Sequence, residues 1–208
     1  RGQTMSRHAT HMLQFKPGTD VALLGAMIHT IIEEGLTDTQ YIQAMTEGFE
    51  EIKANSARFK PEDMAKVCGI DAETIRTVAR LYATSERSLI FWGMGISQHV
   101  HGTDNARCLI TLSMITGQMG RPGAGLHPLR GQNNVQGASD AGLIPMVFPD
   151  YKSVESPAIR KTYEDLWGGE LDPERGLTVV EIVHAIHDDR IKGMYIMGEN
   201  PAMSDPDV

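Results

Sequence analysis

Over the first ninety positions the apolar residues recur at helical spacing. Between Asp20 and Gly35 they fall at Val21, Leu23, Leu24, Met27, Ile28, Ile31 and Ile32. They cover most of a helix circumference, which predicts burial between layers rather than one wet face. Pro17-Gly18 precedes this helix, Asp20 can cap it and Gly35 can stop it. Thr37 or Asp38 opens a second helix toward Glu47, a short helix is expected within 48–60, and Pro61 starts a helical turn running to Val67. Asp71 caps an amphipathic helix that carries Ile75, Val78, Ala79 and Tyr82 on one face.

The period changes after Ser85-Glu86-Arg87. Ser88-Leu89-Ile90-Phe91-Trp92 is a short apolar run ending in Gly93-Met94-Gly95, which predicts a buried strand with a glycine turn at its carboxyl end. A helix is expected from about Asn105 to Gly117. Strand, glycine turn and helix in that order form the unit of a doubly wound α/β sheet, which binds ligands outside the carboxyl ends of its strands. Residues 117–137 are rich in glycine with little hydrophobic periodicity. They read as an ordered functional loop, since a linker has no need of so many specific amides. Helices are predicted over Pro157–Trp167 and Thr178–His187, the latter with Val179, Ile182, Val183 and Ile186 along one stripe. Gly193-Met194-Tyr195-Ile196-Met197 is a predicted second strand, ending at Gly198. Periodicity alone gives an α/β fold and leaves one or two lobes open.

Composition then narrows the function classes. Of 208 residues, 41% are hydrophobic, enough for a core, and the net charge is -8. That balance argues against a nucleic-acid partner, which would call for a basic face. No apolar run is long enough to span a bilayer, so a cytoplasmic protein without a membrane span is expected. Cys68 and Cys108 lie far apart and no Cys-x-x-Cys occurs, so neither a zinc nor an iron–sulfur site is supported and both read as small buried hydrophobes. His8/His11 and His184/His187 are spaced i,i+3 but have no third ligand nearby. They read as structural or solvent-facing, and so does His127; His99 and His101 flank the Met94–Gln98 turn.

The densest polar chemistry is Leu129-Arg130-Gly131-Gln132-Asn133-Asn134-Val135-Gln136-Gly137. One arginine stands beside a run of amides between glycines. A guanidinium matches the two oxygens of a carboxylate, and amides donate and accept as a polar heterocycle does. Elsewhere, Gly18 and Thr19 sit where a loop enters a helix, a place with free N–H groups for an acceptor. Asp20 can accept from the amino and imino N–H of a guanine or pterin.

The run Arg130-Gly131-Gln132-Asn133-Asn134-Val135-Gln136-Gly137-Ala138-Ser139-Asp140 resembles the active-site segment of molybdenum- or tungsten-dependent formate dehydrogenases. Similar blocks stand at Pro17-Gly18-Thr19-Asp20, Trp92–Gln98, Thr116–Gly123 and Met197–Pro201, in the family's order, so the likeness covers nearly the whole chain. The variant here looks most like the catalytic subunit of soluble NAD-linked enzymes.

That resemblance implies a bis-molybdopterin guanine dinucleotide carrying Mo or W, and oxidation of formate to carbon dioxide. It implies Arg130 and Gln132 as catalytic residues, with Arg130 orienting formate. Gly18, Thr19, Asp20, Met94, Gly95, Gln98, Asn133, Gly198 and Asn200 would contact the cofactor, and Asp205 and Asp207 are further candidates. No metal ligand is expected among these residues. Residues 1–131 would belong to one molybdopterin guanine dinucleotide-binding α/β domain and 132–208 to part of a second. The metal-ligating cysteine or selenocysteine and a 4Fe–4S cluster would precede Arg1, making the chain an interior fragment, inactive alone. Iron–sulfur and flavin partner subunits would carry electrons to NAD. The alternatives are another molybdopterin oxidoreductase acting on a small anion, or a non-catalytic structural relative in a respiratory complex.

Overall fold

The structure is a computed structural model that describes residues 4–204; Asp205 and Asp207 lie outside the described residues. The chain forms two compact units, Arg1–Gly131 and Gln132–Val208. The fold is mixed α/β.

In the first unit a 3-10 helix, Thr4–Arg7, is followed by α1 (Asp20–Glu33), α2 (Thr39–Met45), α3 (Phe49–Ser56), α4 (Pro61–Cys68) and α5 (Ala72–Thr84). Then come β1 (Leu89–Trp92), α6 (Met94–Ser97), α7 (Gly102–Ile115) and β2 (Gly125–Pro128). The all-round apolar pattern of α1 is explained by its neighbours: it touches α3, α4, α5 and α7. Ala26, Ile31, Cys68, Ile75, Ala79 and Leu112 close the core at 2% exposure or less. The starts of α2 and α5 follow local chemistry. The Asp38 carboxylate accepts from the Tyr41 N–H at 2.9 Å and that of Asp71 from the Thr74 N–H at 3.0 Å, satisfying donors that a helix start leaves free. On the surface, Arg76 and Arg80 bridge α1, α4 and α5 through Glu33, Glu34 and Glu62.

β1 and β2 pair in parallel, Leu89 opposite Gly125 through Trp92 opposite Pro128, and α7 lies between them in sequence. Gln118, 1% exposed, ties this corner together: its amide accepts from Ser88 N–H at 3.0 Å and donates to the Ser85 carbonyl at 3.2 Å. Two expectations are corrected here. β1 is not buried on both faces, because Leu89 and Phe91 are 45% and 58% exposed while Ile90 and Trp92 are half-buried. And the stretch 117–137 is not loop throughout, since β2 lies inside it.

The second unit holds α8 (Val135–Asp140), an antiparallel pair β3 (Val147–Phe148) and β4 (Lys152–Ser153) joined by a 3-10 turn, α9 (Pro157–Trp167), α10 (Val179–His187) and α11 (Pro201–Ser204). Phe148, Tyr163 and Trp167 form an aromatic cluster, with Phe148 and Tyr163 stacked at 4.6 Å. The strand expected over 193–197 does not form: those residues are irregular, with Tyr195 and Met197 87% and 79% exposed. A strand exists only as one side of a ladder, and no described segment pairs with this one. No described helix is long and apolar enough to cross a membrane.

Candidate functional site

The carboxyl ends of β1 and β2 lie side by side. The Leu129 N–H donates to the Trp92 carbonyl at 2.6 Å, and a Cβ on Gly93 would stand 3.3 Å from the Leu129 carbonyl. The next residue, Arg130, is therefore set beside the glycine turn that follows β1. It is exposed and makes no ion pair or hydrogen bond among the described residues. The turn closes on itself: the Ile96 and Ser97 N–H groups donate to the Gly93 carbonyl, and that of Gln98 to the Met94 carbonyl. Met94 is 59% exposed, Gln98 is exposed, and the space where Gly95 would carry a Cβ is open. His99 Nε2 lies 2.8 Å from the Gly95 carbonyl, and His101 sits 3.6 Å from Asp104.

The second group stands at the start of α1. Gly18 has φ +77° and open space around it. The Thr19 hydroxyl turns back to donate to the Lys16 carbonyl at 2.6 Å, so it caps nothing. Asp20 is not the cap either. It is the first helical residue and only 4% exposed, yet its carboxylate has no donor among the described residues. The helix amino end stabilises its charge, and its oxygens are not sealed from water. Such an acceptor suits N–H groups brought by a ligand.

Gly18 also opens onto a cavity of ≈ 540 Å³ between α1, α3 and α7. Val21, Ile52 and Phe59 supply apolar walls and Arg58, His101 and Arg107 basic ones. Cys108 lines it as well, its thiol pushed up to about 11 by burial, with Asp104 adding to the effect, so it is protonated and unreactive at neutral pH. No sequence signal marked Arg58 or Arg107, because neither lies in a motif.

In the second unit, Gln132 and Asn133 are exposed with no side-chain bond among the described residues. Asn134 adopts φ +52° and its side chain accepts from the Gly137 N–H, so this amide serves its own loop. Gly198 has φ +71° and open space around it; the Asn200 carbonyl accepts from Met203 and Ser204, leaving its side chain exposed. No three described His, Cys, Asp or Glu side chains gather as metal ligands.

In the first unit, open space at Gly18 and Gly95, with an acceptor at Asp20 that no described donor occupies, fits a polar ligand laid against backbone. A parallel strand pair with such a carboxyl edge belongs to the α/β class, whose ligands lie at that edge. The chain belongs to the molybdopterin oxidoreductase family, whose model matches residues 2–208. It is 48% identical over 196 residues to the F420-dependent formate dehydrogenase subunit alpha of Methanocaldococcus jannaschii, covering 94% of this chain and 29% of that protein. It is 40% identical over 204 residues to formate dehydrogenase H of Escherichia coli, covering 98% and 28%. Among solved structures it resembles acetylene hydratase from Pelobacter acetylenicus, with a TM-score of 0.58 and 28% identity over 59% of this chain and 17% of that one. The chain thus spans under a third of the length of these relatives.

Proposed function

We propose that this chain is part of a formate dehydrogenase catalytic subunit that oxidises formate to carbon dioxide. The observation that carries the reading is Arg130, an exposed guanidinium without a partner, placed at the carboxyl edge of a parallel strand pair. Formate offers nothing but a carboxylate and one C–H bond. A guanidinium that holds both oxygens leaves that hydrogen pointing away, and charge-assisted bonds of this kind contribute about 1.5–3 kcal/mol each. Gln132 is assigned beside it. When bound, a bis-molybdopterin guanine dinucleotide with Mo or W supplies the two-electron chemistry.

This chain's residues hold that group. Asp20 accepts from the N–H edge of a guanine or pterin, with Gly18 and Thr19 giving close approach. Met94, Gly95 and Gln98 take one arm; Asn133, Gly198 and Asn200 take the other. In this reading residues 1–131 and 132–208 belong to two cofactor-binding domains of a cytoplasmic enzyme. Its 4Fe–4S cluster, and iron–sulfur and flavin partner subunits, lead electrons away. NAD is the acceptor that the motifs suggest, but the Methanocaldococcus jannaschii relative favours F420, and assaying the holoenzyme with both separates them. A non-catalytic scaffold has no use for Arg130, Gln132 and both glycine-turn blocks.

In the full-length enzyme, Arg130→Lys is expected to lower kcat/KM for formate on the order of a hundredfold, because a point charge replaces a planar fork. Pterin and metal content should stay unchanged. Undiminished turnover removes Arg130 from the reaction.

A further inference from the structure

The glycine turn after β1 is closed by its own backbone bonds, but those bonds do not fix where it sits. Two residues in the first turns of α7 do. Asn105 is 2% exposed, and its side-chain N–H donates to the Ile96 carbonyl, inside the turn, at 2.9 Å. Gly102, also buried, lets the Ser97 carbonyl come so close that a Cβ there would collide with it. A buried amide is unfavourable unless bonded, and this one spends its donor on the turn rather than on its own helix. The next polar side chain buried on α7, Ser113, reaches no residue of the turn.

The geometry points to Asn105 as a positioning residue: through the Ile96 carbonyl, and against the bare Gly102 backbone, it sets the direction in which Met94, Gly95 and Gln98 face the cofactor arm. This rests on the proposal that the turn contacts a pterin arm. The pairing is specific in kind. A donor must face Ile96, so an isosteric carboxylate at 105 opposes a carbonyl with negative charge and moves the turn further than alanine does.

The test uses full-length holoenzyme carrying Asn105→Ala, Asn105→Asp and, as a control on the same helix, Ser113→Ala. Hydrogen exchange is read at the Ile96, Ser97 and Gln98 amides. Pterin and metal per polypeptide, the metal's EPR signature, and KM and kcat for formate are read alongside. Exchange at 96–98 is expected to quicken on the order of tenfold in both Asn105 variants, the factor for about one lost hydrogen bond. Pterin content should fall severalfold with a shifted EPR signal, Asp should exceed Ala, and Ser113→Ala should match the parent. Gly102→Ala pushes the same turn from the other side and should give the same signature, which serves if the Asn105 variants do not accumulate. Unchanged exchange overturns the clamp itself. Faster exchange with pterin, EPR and KM unchanged overturns the positioning role and the turn's contact with cofactor together, and leaves Arg130's role to its own test.

Discussion

Asp20 stands at the amino end of α1, 4% exposed, with no hydrogen-bond donor among the described residues and oxygens still open to water. A heterocycle edge that presents two N–H groups is satisfied by two carboxylate oxygens; an asparagine accepts one and turns its own N–H against the other. Asp20→Asn in the full-length protein is therefore expected to cut bound pterin on the order of tenfold. The thermal midpoint of the cofactor-free protein should not fall, since a neutral amide is easier to bury. A drop in that midpoint with full pterin content would make Asp20 a structural residue. The motif blocks were legible in the sequence because their residues are unusual together, and the fold sets Arg130 beside the Gly93 turn. Asn105, Arg58 and Arg107 were not legible. Asn105 acts through Ile96, nine positions away, and Arg58 and Arg107 meet the cavity only once the helices pack; nothing in local spacing marks a single amide or arginine. The Asn134 side chain is taken by the backbone of its own loop.

Among the elements, α2, α5 and α10 start at the caps the sequence offers. α10 shows why: Thr178 accepts from the Glu181 N–H while the Glu181 carboxylate accepts from the Thr178 N–H at 2.7 Å. This closed box holds the Glu181 carboxyl down at about 2, first through the Thr178 backbone and side chain and then through Arg175. The folded value is depressed, so its contribution to α10 is present above the ordinary value of 4.5 and is lost as pH falls from there through about 2. A carbon-13 titration of the Glu181 carboxyl should show a midpoint near 2 in the parent. Thr178→Ala removes the side-chain bond but keeps the backbone N–H, so it should raise the midpoint only part of the way, and a parent midpoint already in the ordinary range would discard the box. Strands were read less well. The run at 89–92 was identified, but its half-exposed face depends on how many strands join it. β2, Gly125-Leu126-His127-Pro128, carries no strand pattern of its own and exists because β1 offers it a ladder. Residues 193–197 have the apolar pattern without a partner, and stay irregular.

For the whole molecule, burial divides unevenly between the two units. Nearly all the core lies in Arg1–Gly131, where α1 is enclosed by four helices. In Gln132–Val208 the buried hydrophobic residues are Phe148, Val154 and Ala185, while Leu166, Trp167, Val180 and Met203 are more than half exposed. A stretch that removes so little apolar surface from water does not offset the ordering entropy of its backbone. Expressed separately, residues 1–131 should therefore unfold in one cooperative thermal transition followed by circular dichroism. Residues 132–208 should melt without a defined midpoint and bind a hydrophobic dye. The aromatic cluster of Phe148, Tyr163 and Trp167 is the main force against that outcome, with aromatic pairs contributing roughly 0.5–1.5 kcal/mol each beyond their area. Three such pairs fall well short of the ~1–2 kcal/mol that each ordered residue costs over seventy-odd residues. A sharp, reversible transition for 132–208 would show that the cluster and the α10 capping box suffice, and that the apolar surface left exposed is not needed for folding.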